Sequence, residues 1–138
     1  MTTRLEDVKI NVKIKLAGLW ATVMFLYIYA DIVAFYTPEH LESVLAGEVA
    51  GMQMTPLFLL GMMILMTIPS LMVFLSLTLK AKANRWANII ISILLTGLAL
   101  FIAFIGDMLA FGIFATIVEV VVLSLIVWHA WKWPTQEG

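Results

Sequence analysis

The sequence contains no cysteine. That absence excludes disulfides, thiolate metal sites, iron–sulfur clusters and cysteine nucleophiles. Charge is scarce as well. Only 12% of residues are Asp, Glu, Lys or Arg, where an ordinary globular domain has about a quarter. The net charge is -1, so no global basic field draws the chain to nucleic acid, and no such partner is expected. Histidine occurs twice, as His40 and His129. The two lie at opposite ends of the apolar stretches and do not make the membrane histidine pair that a transmembrane haem would need. No catalytic triad, phosphate loop or HExxH string is present. No cofactor, catalytic set or metal site is therefore expected. His40 with Glu39 and Glu42 is an ordinary group on an exposed helix. Met52, Met54, Met62, Met63, Met66 and Met72 read as fillers of irregular apolar gaps rather than Cu(I) ligands.

What the chain has in abundance is apolar surface. Hydrophobic residues make up 63% of its 138 positions. A soluble domain of this size has too little interior to hide them, so the bilayer must be the solvent for most of the chain. A single transmembrane domain covering residues 1–138 is the expectation. Four stretches reach the roughly 20 residues that cross the hydrocarbon layer: 16–36, 56–79, 86–105 and 109–131. Backbone groups in lipid must be satisfied within the segment, so each is a helix. The first stretch is too long for a cleavable signal and lacks a small-residue cleavage site, so it is expected to stay as a span. The fold class that follows is all-α, a membrane four-helix antiparallel bundle.

Local signals set the ends. Thr3 and Glu6 match a capping box. Val8, Ile10, Val12, Ile14 and Leu16 alternate with polar residues, which alone is a strand pattern. Next to a span it is read as an interfacial extension of the first helix. Thr37-Pro38 supplies an N-cap and first helical position, and Gly47 an end. A short interfacial helix is expected at 38–46 on the outer surface. Thr55-Pro56 repeats the start signal, and Gly106-Asp107 turns the third span into the fourth. Pro69 interrupts the second span. It removes one helix hydrogen bond and clashes with the carbonyl of Leu65, so it predicts a kink and a candidate hinge. Thr67 and Ser70 are placed to re-satisfy the freed groups.

Orientation is read from Lys and Arg. Arg4, Lys9, Lys13, Lys15, Lys80, Lys82, Arg85 and Lys132 all fall on one side, and the opposite loops hold only Glu39, Glu42, Glu48 and Asp107. Both termini are thus expected in the cytoplasm, in a multi-pass arrangement. Trp20, Trp86, Trp128, Trp131 and Trp133 lie toward the same side and read as an aromatic belt, with His129 as an interfacial neighbour. Membrane lipids are the expected partners, with anionic head groups near Lys80, Lys82 and Arg85.

Two carboxyls fall inside spans: Asp31 in the first and Glu119 near the middle of the fourth. A charge at the bilayer centre costs at least ~2.5–3.5 kcal/mol, so each is expected to face the bundle interior. On the first span, Trp20, Met24, Tyr27, Asp31 and Ala34 share a side, and Tyr27 is one turn from Asp31, within hydrogen-bonding reach. On the fourth, Gly112, Ala115 and Thr116 share the face of Glu119 and allow close helix contact. On the third, Asn88, Ser92 and Thr96 recur every four residues as a polar stripe. Simple rise arithmetic separates Asp31 from Glu119 by about 9 Å in depth, so pairing needs a tilted helix or a water.

Several strings carry a resemblance. They are Leu5 to Leu16 (LEDVKINVKIKL), Tyr27 to Asp31 (YIYAD), Ile68 to Ser76 (IPSLMVFLS), Asn84 to Ile89 (NRWANI) and Ile126 to Pro134 (IVWHAWKWP). On these the chain resembles a prokaryotic family of small, uncharacterised four-helix membrane proteins, a domain of unknown function. The resemblance implies the fold and a prokaryotic cytoplasmic membrane, and brings no activity. Small multidrug transporters also carry an acidic residue in the first helix, but their motifs are missing here and Asp31 sits late in its helix.

Two functions fit the polar residues. In one, the protein is a small transporter or channel component for protons, cations or a small solute, with a pathway through Asp31, Glu119, Tyr27, Thr116, Asn88, Ser92 and Thr96. In the other, it is a non-catalytic membrane subunit or scaffold that binds partner helices or lipid, and the same residues only fix helix packing. Four helices make a closed bundle alone or a homo-oligomer, and small transporters commonly take the second form. A membrane enzyme acting on lipid or quinone finds no nucleophile–base or metal set to support it.

Overall fold

The computed structural model describes residues 3–135. The chain forms four long helices and one short one: α1 (Val12–Phe35), α2 (Pro38–Leu45), α3 (Pro56–Thr78), α4 (Ala81–Ile105) and α5 (Ala110–Trp131). The four long helices are each long and apolar enough to cross a membrane. They pack together in an up-and-down order. α1 lies against both α3 and α5, and α4 lies against α5, while α3 and α4 meet only sparsely.

The core sits toward the end that carries both termini. In α1 the buried residues are Leu16, Ala17, Trp20 and Val23, in α3 they are Pro69, Met72 and Ser76, and in α5 they are Val122, Leu123, Ile126 and Ala130. α4 buries Asn84, Asn88, Ile89, Ser92, Leu95 and Ala99. The opposite halves bury almost nothing, and Phe101, Phe104, Ile113, Phe114 and Ile117 stand exposed there. Helices that are apolar all round give hydrophobicity no face to choose. In lipid, polar contacts and close packing decide instead, and those contacts lie at the terminal end.

Residues 3–11 carry no regular structure, so neither the Thr3–Glu6 capping box nor a helix through Val8 and Ile10 forms. The reason is Asn11. It is the N-cap of α1, and its Oδ1 accepts a hydrogen bond from the Lys13 N–H at 2.9 Å. An Asn cap satisfies an orphan donor and ends the helix there. Helical periodicity starts after it, and the alternating residues before it are exposed.

Thr37 and Pro38 open α2 as expected, and Gly47 (φ +81°) follows its end. Beyond it lies an antiparallel pair of two-residue strands, β1 (Glu48–Val49) and β2 (Met52–Gln53). Ala50 and Gly51 between them have φ of 51° and 76°, which is the backbone of a tight hairpin turn. Strands this short leave no alternation in the sequence.

Thr55 caps α3, with its Oγ1 accepting from the Phe58 N–H at 3.1 Å. Thr55→Ala is expected to lower stability by about 1 kcal/mol. Thermal unfolding in mild detergent, followed by circular dichroism, checks this, and an unchanged midpoint would show that water replaces the cap.

Candidate functional site

The polar stripe on α4 faces the core and starts one turn earlier than the sequence suggested. Asn84, Asn88 and Ser92 are fully buried. Their four-residue spacing stacks them on one helix face. Asn88 is the node. Its Oδ1 accepts from Trp20 Nε1 at 2.7 Å and from Ser76 Oγ at 3.3 Å. Its Nδ2 donates to the backbone oxygen of Asn84 at 2.8 Å and to Asn84 Oδ1 at 2.7 Å. Three helices, α1, α3 and α4, are thereby tied at one depth.

Asn84 also closes α3. Its Nδ2 donates to the carbonyls of Ser76 at 2.7 Å and Leu79 at 3.3 Å, and Lys13 Nζ donates to Leu79 oxygen at 2.9 Å. The last carbonyls of a helix lack internal partners and attract cations. An amide and an ammonium from two other elements meet that need. Further along α4, Thr96 Oγ1 donates to the Ser92 carbonyl at 2.7 Å, while Ser92 Oγ is buried with no partner among the described residues.

Trp20, Ser76, Asn84 and Lys13 were not recognised as members of this cluster from sequence. Trp20 corrects the belt reading directly: it is fully buried, while Trp86, Trp128 and Trp131 are exposed at 46–61%. The available signal was the four-residue series, which extends from Asn88 back to Asn84.

The second polar feature lies further from the termini. Tyr27 Oη donates to Glu119 Oε1 at 2.6 Å, joining α1 to α5 within their apolar spans. Both residues are half-buried. Tyr27 thus serves Glu119 and not Asp31, although Asp31 is only one turn away. Asp31 is exposed rather than turned into the bundle, and it lies within electrostatic reach of His40 on α2. The helix face that runs from Trp20 stays inward as far as Tyr27 and turns outward by Asp31, because the bundle packs more loosely away from the termini.

Thr116 Oγ1 contacts Met108 Sδ at 3.9 Å instead of Glu119. Gly112 does not receive a neighbouring helix: the atoms nearest the position of a Cβ there belong to Met108 of the preceding turn. Among the described residues no hydrogen bond joins the Glu119 pair to the α4 stripe. Pro69 is buried within α3. Thr67 and Ser70 do not take over the Leu65 carbonyl. Their hydroxyls donate to Met63 and Met66 oxygens, each at 2.7 Å.

Four apolar helices of crossing length, tied by a polar cluster and by a tyrosine–carboxyl pair within the spans, define a multi-pass membrane protein. The chain belongs to the family of unknown function DUF6326, whose profile matches residues 5–138. No curated protein and no solved structure matches it.

Proposed function

We propose that this protein is a small transport component that moves protons or small cations across the membrane, with Glu119 as the carboxyl that takes up the proton or cation. The observation that carries the reading is the Tyr27–Glu119 hydrogen bond inside two apolar helices. Ionisable groups at that depth are expensive and are functional by default. Tyr27 orients the carboxyl through its hydroxyl. Asp31 stands about one turn, or ~6 Å, further along α1 than Tyr27, where it offers an outer entry point within electrostatic reach of His40. The buried Ser92 Oγ, without a partner among the described residues, supports a hydrated continuation toward the terminal end. In this reading both termini lie in the cytoplasm, which is supported by all eight Lys and Arg residues falling toward that end.

The test is proton flux into liposomes carrying the purified protein, read by an entrapped pH dye under an imposed potential. Wild-type flux should exceed that of empty liposomes, and Glu119→Gln should lower it about 100-fold or more, the scale of a lost proton-transfer group. Circular dichroism should show the variant folded. Equal flux from the two proteins, or none from wild type, removes Glu119 from any pathway.

A second reading has its own support. The Asn88 node satisfies its amide fully with partners on three helices, which is how a packing element is built. In that reading the protein is a scaffold subunit, and both Glu119→Gln and Asp31→Asn leave flux unchanged while altering association with a partner.

A further inference from the structure

The outward face of α5 carries a groove at the terminal end. It is shallow and open to the surroundings, is lined by Ser124, Val127, Trp128, Trp131 and Lys132, and has room for about 410 Å3. These positions step by three and four residues, so they form one stripe. The stripe climbs about 12 Å along the helix. It lies on the other side of α5 from the buried Val122, Leu123, Ile126 and Ala130. It therefore faces the surroundings of the bundle and not its core.

The composition changes along its length. The inner part is small and apolar, with the Ser124 hydroxyl turned back onto the Val120 carbonyl at 2.7 Å. The mouth is aromatic and cationic. Lys132 Nζ stands 4.7 Å from the centre of the Trp128 ring. Trp131 is gripped from α4: Arg85 Nη2 donates to its carbonyl at 3.2 Å, and the guanidinium lies 5.3 Å from its ring and 5.8 Å from that of Trp86. That grip gives the groove a fixed wall. Among the described residues no acidic side chain lines it.

An occupant must therefore be apolar along the helix and negative at the mouth. We propose that the groove binds an anionic phospholipid, with its acyl chain along Ser124, Val127 and Trp128 and its phosphate against the Lys132 ammonium. Tryptophan and lysine both favour the depth at which glycerol and phosphate groups sit. The charge complementarity favours this occupant over a helix of a second copy. The site is independent of the Glu119 pathway and stands or falls separately.

The test uses the full chain reconstituted in vesicles of equal phosphatidylglycerol and phosphatidylcholine with matched acyl chains. The protein is extracted in mild detergent and weighed by native mass spectrometry. Wild type should retain the anionic lipid about fivefold over the zwitterionic one. Lys132→Gln should abolish that enrichment, and Lys132→Arg should keep it. Lys82→Gln, which removes an exposed lysine at the same end outside the groove, should also keep it. Trp128→Ala should lower retention of both lipids. Absence of enrichment in wild type overturns the proposal. So does an equal loss from Lys82→Gln, which would mean a diffuse basic surface. A lipid-free dimer that falls apart in Trp128→Ala also overturns it, since a second copy would then fill the groove.

Discussion

Trp20→Ala is expected to lower the stability of the detergent-solubilised protein by about 3–5 kcal/mol, the range for truncating a buried tryptophan. Trp20 is fully buried in a cluster with Leu16, Val23, Leu123 and Ile126. Truncation leaves a cavity where α1 meets α5 and also frees the Asn88 Oδ1 that accepts its indole N–H. The lost dispersion contacts are the larger part, because lipid tails cannot enter a space closed on all sides. Trp20→Phe separates the two terms: it keeps most of the volume and drops the donor, and should cost about 1–2 kcal/mol. Trp128→Ala, at an exposed position nearer the same end, should cost far less. Unfolding titrated with a denaturing detergent, followed by circular dichroism, gives all three values. Equal losses at Trp20 and Trp128 would mean that the terminal end is not the stability core.

The contrast between these tryptophans marks where sequence reasoning stopped. Four apolar helices, the short helix after Thr37-Pro38, and the cap at Thr55 were legible, because length, proline placement and cap chemistry act locally. Helix facing was only half legible. Four-residue spacing put Asn88, Ser92 and Thr96 on one side of α4, and burying amides away from lipid made that side the inner one. No such rule sorts five tryptophans, since an indole suits both an interface and a core. Trp20 became a core residue because Asn88 stands at its depth to accept the N–H, a match between helices separated by 68 positions.

The carboxyls taught the same lesson from the other side. Tyr27 shares a helix face with Asp31, and local spacing allowed a bond between them. The hydroxyl instead crosses to Glu119, 92 positions away. Which partner wins depends on how closely α1 approaches α5, a quantity that no window of one helix contains. Asn11 is the converse case: a local cap overrode the strand-like and helix-extension readings of Val8 and Ile10, and its signal lay in the sequence.

Asn88→Ala is expected to cost about 2–4 kcal/mol, several times the mean of roughly 0.6 for one hydrogen bond between membrane helices. The excess follows from the number of groups stranded. Trp20 Nε1, Ser76 Oγ and Asn84 Oδ1 would all lose their partner in a space sealed from water, and an unmade bond on a buried group costs more than a made one gains. Asn88→Asp tests the donor side alone. It keeps the acceptor for Trp20 but turns oxygen toward the Asn84 carbonyl and Oδ1, where Nδ2 now donates, so it should be at least as damaging as alanine. A double-mutant cycle of Trp20→Phe with Asn88→Ala isolates their shared bond. Coupling of about 0.5–1.7 kcal/mol is expected, and strict additivity would mean that the indole finds another acceptor. The same variants also separate the two functional readings. If the node only packs the helices, flux per folded molecule in Asn88→Ala should equal that of wild type, however far the midpoint falls. If flux per folded molecule falls as well, water reaches past Ser92 to Asn88, and the polar face of α4 belongs to the pathway that runs through Glu119.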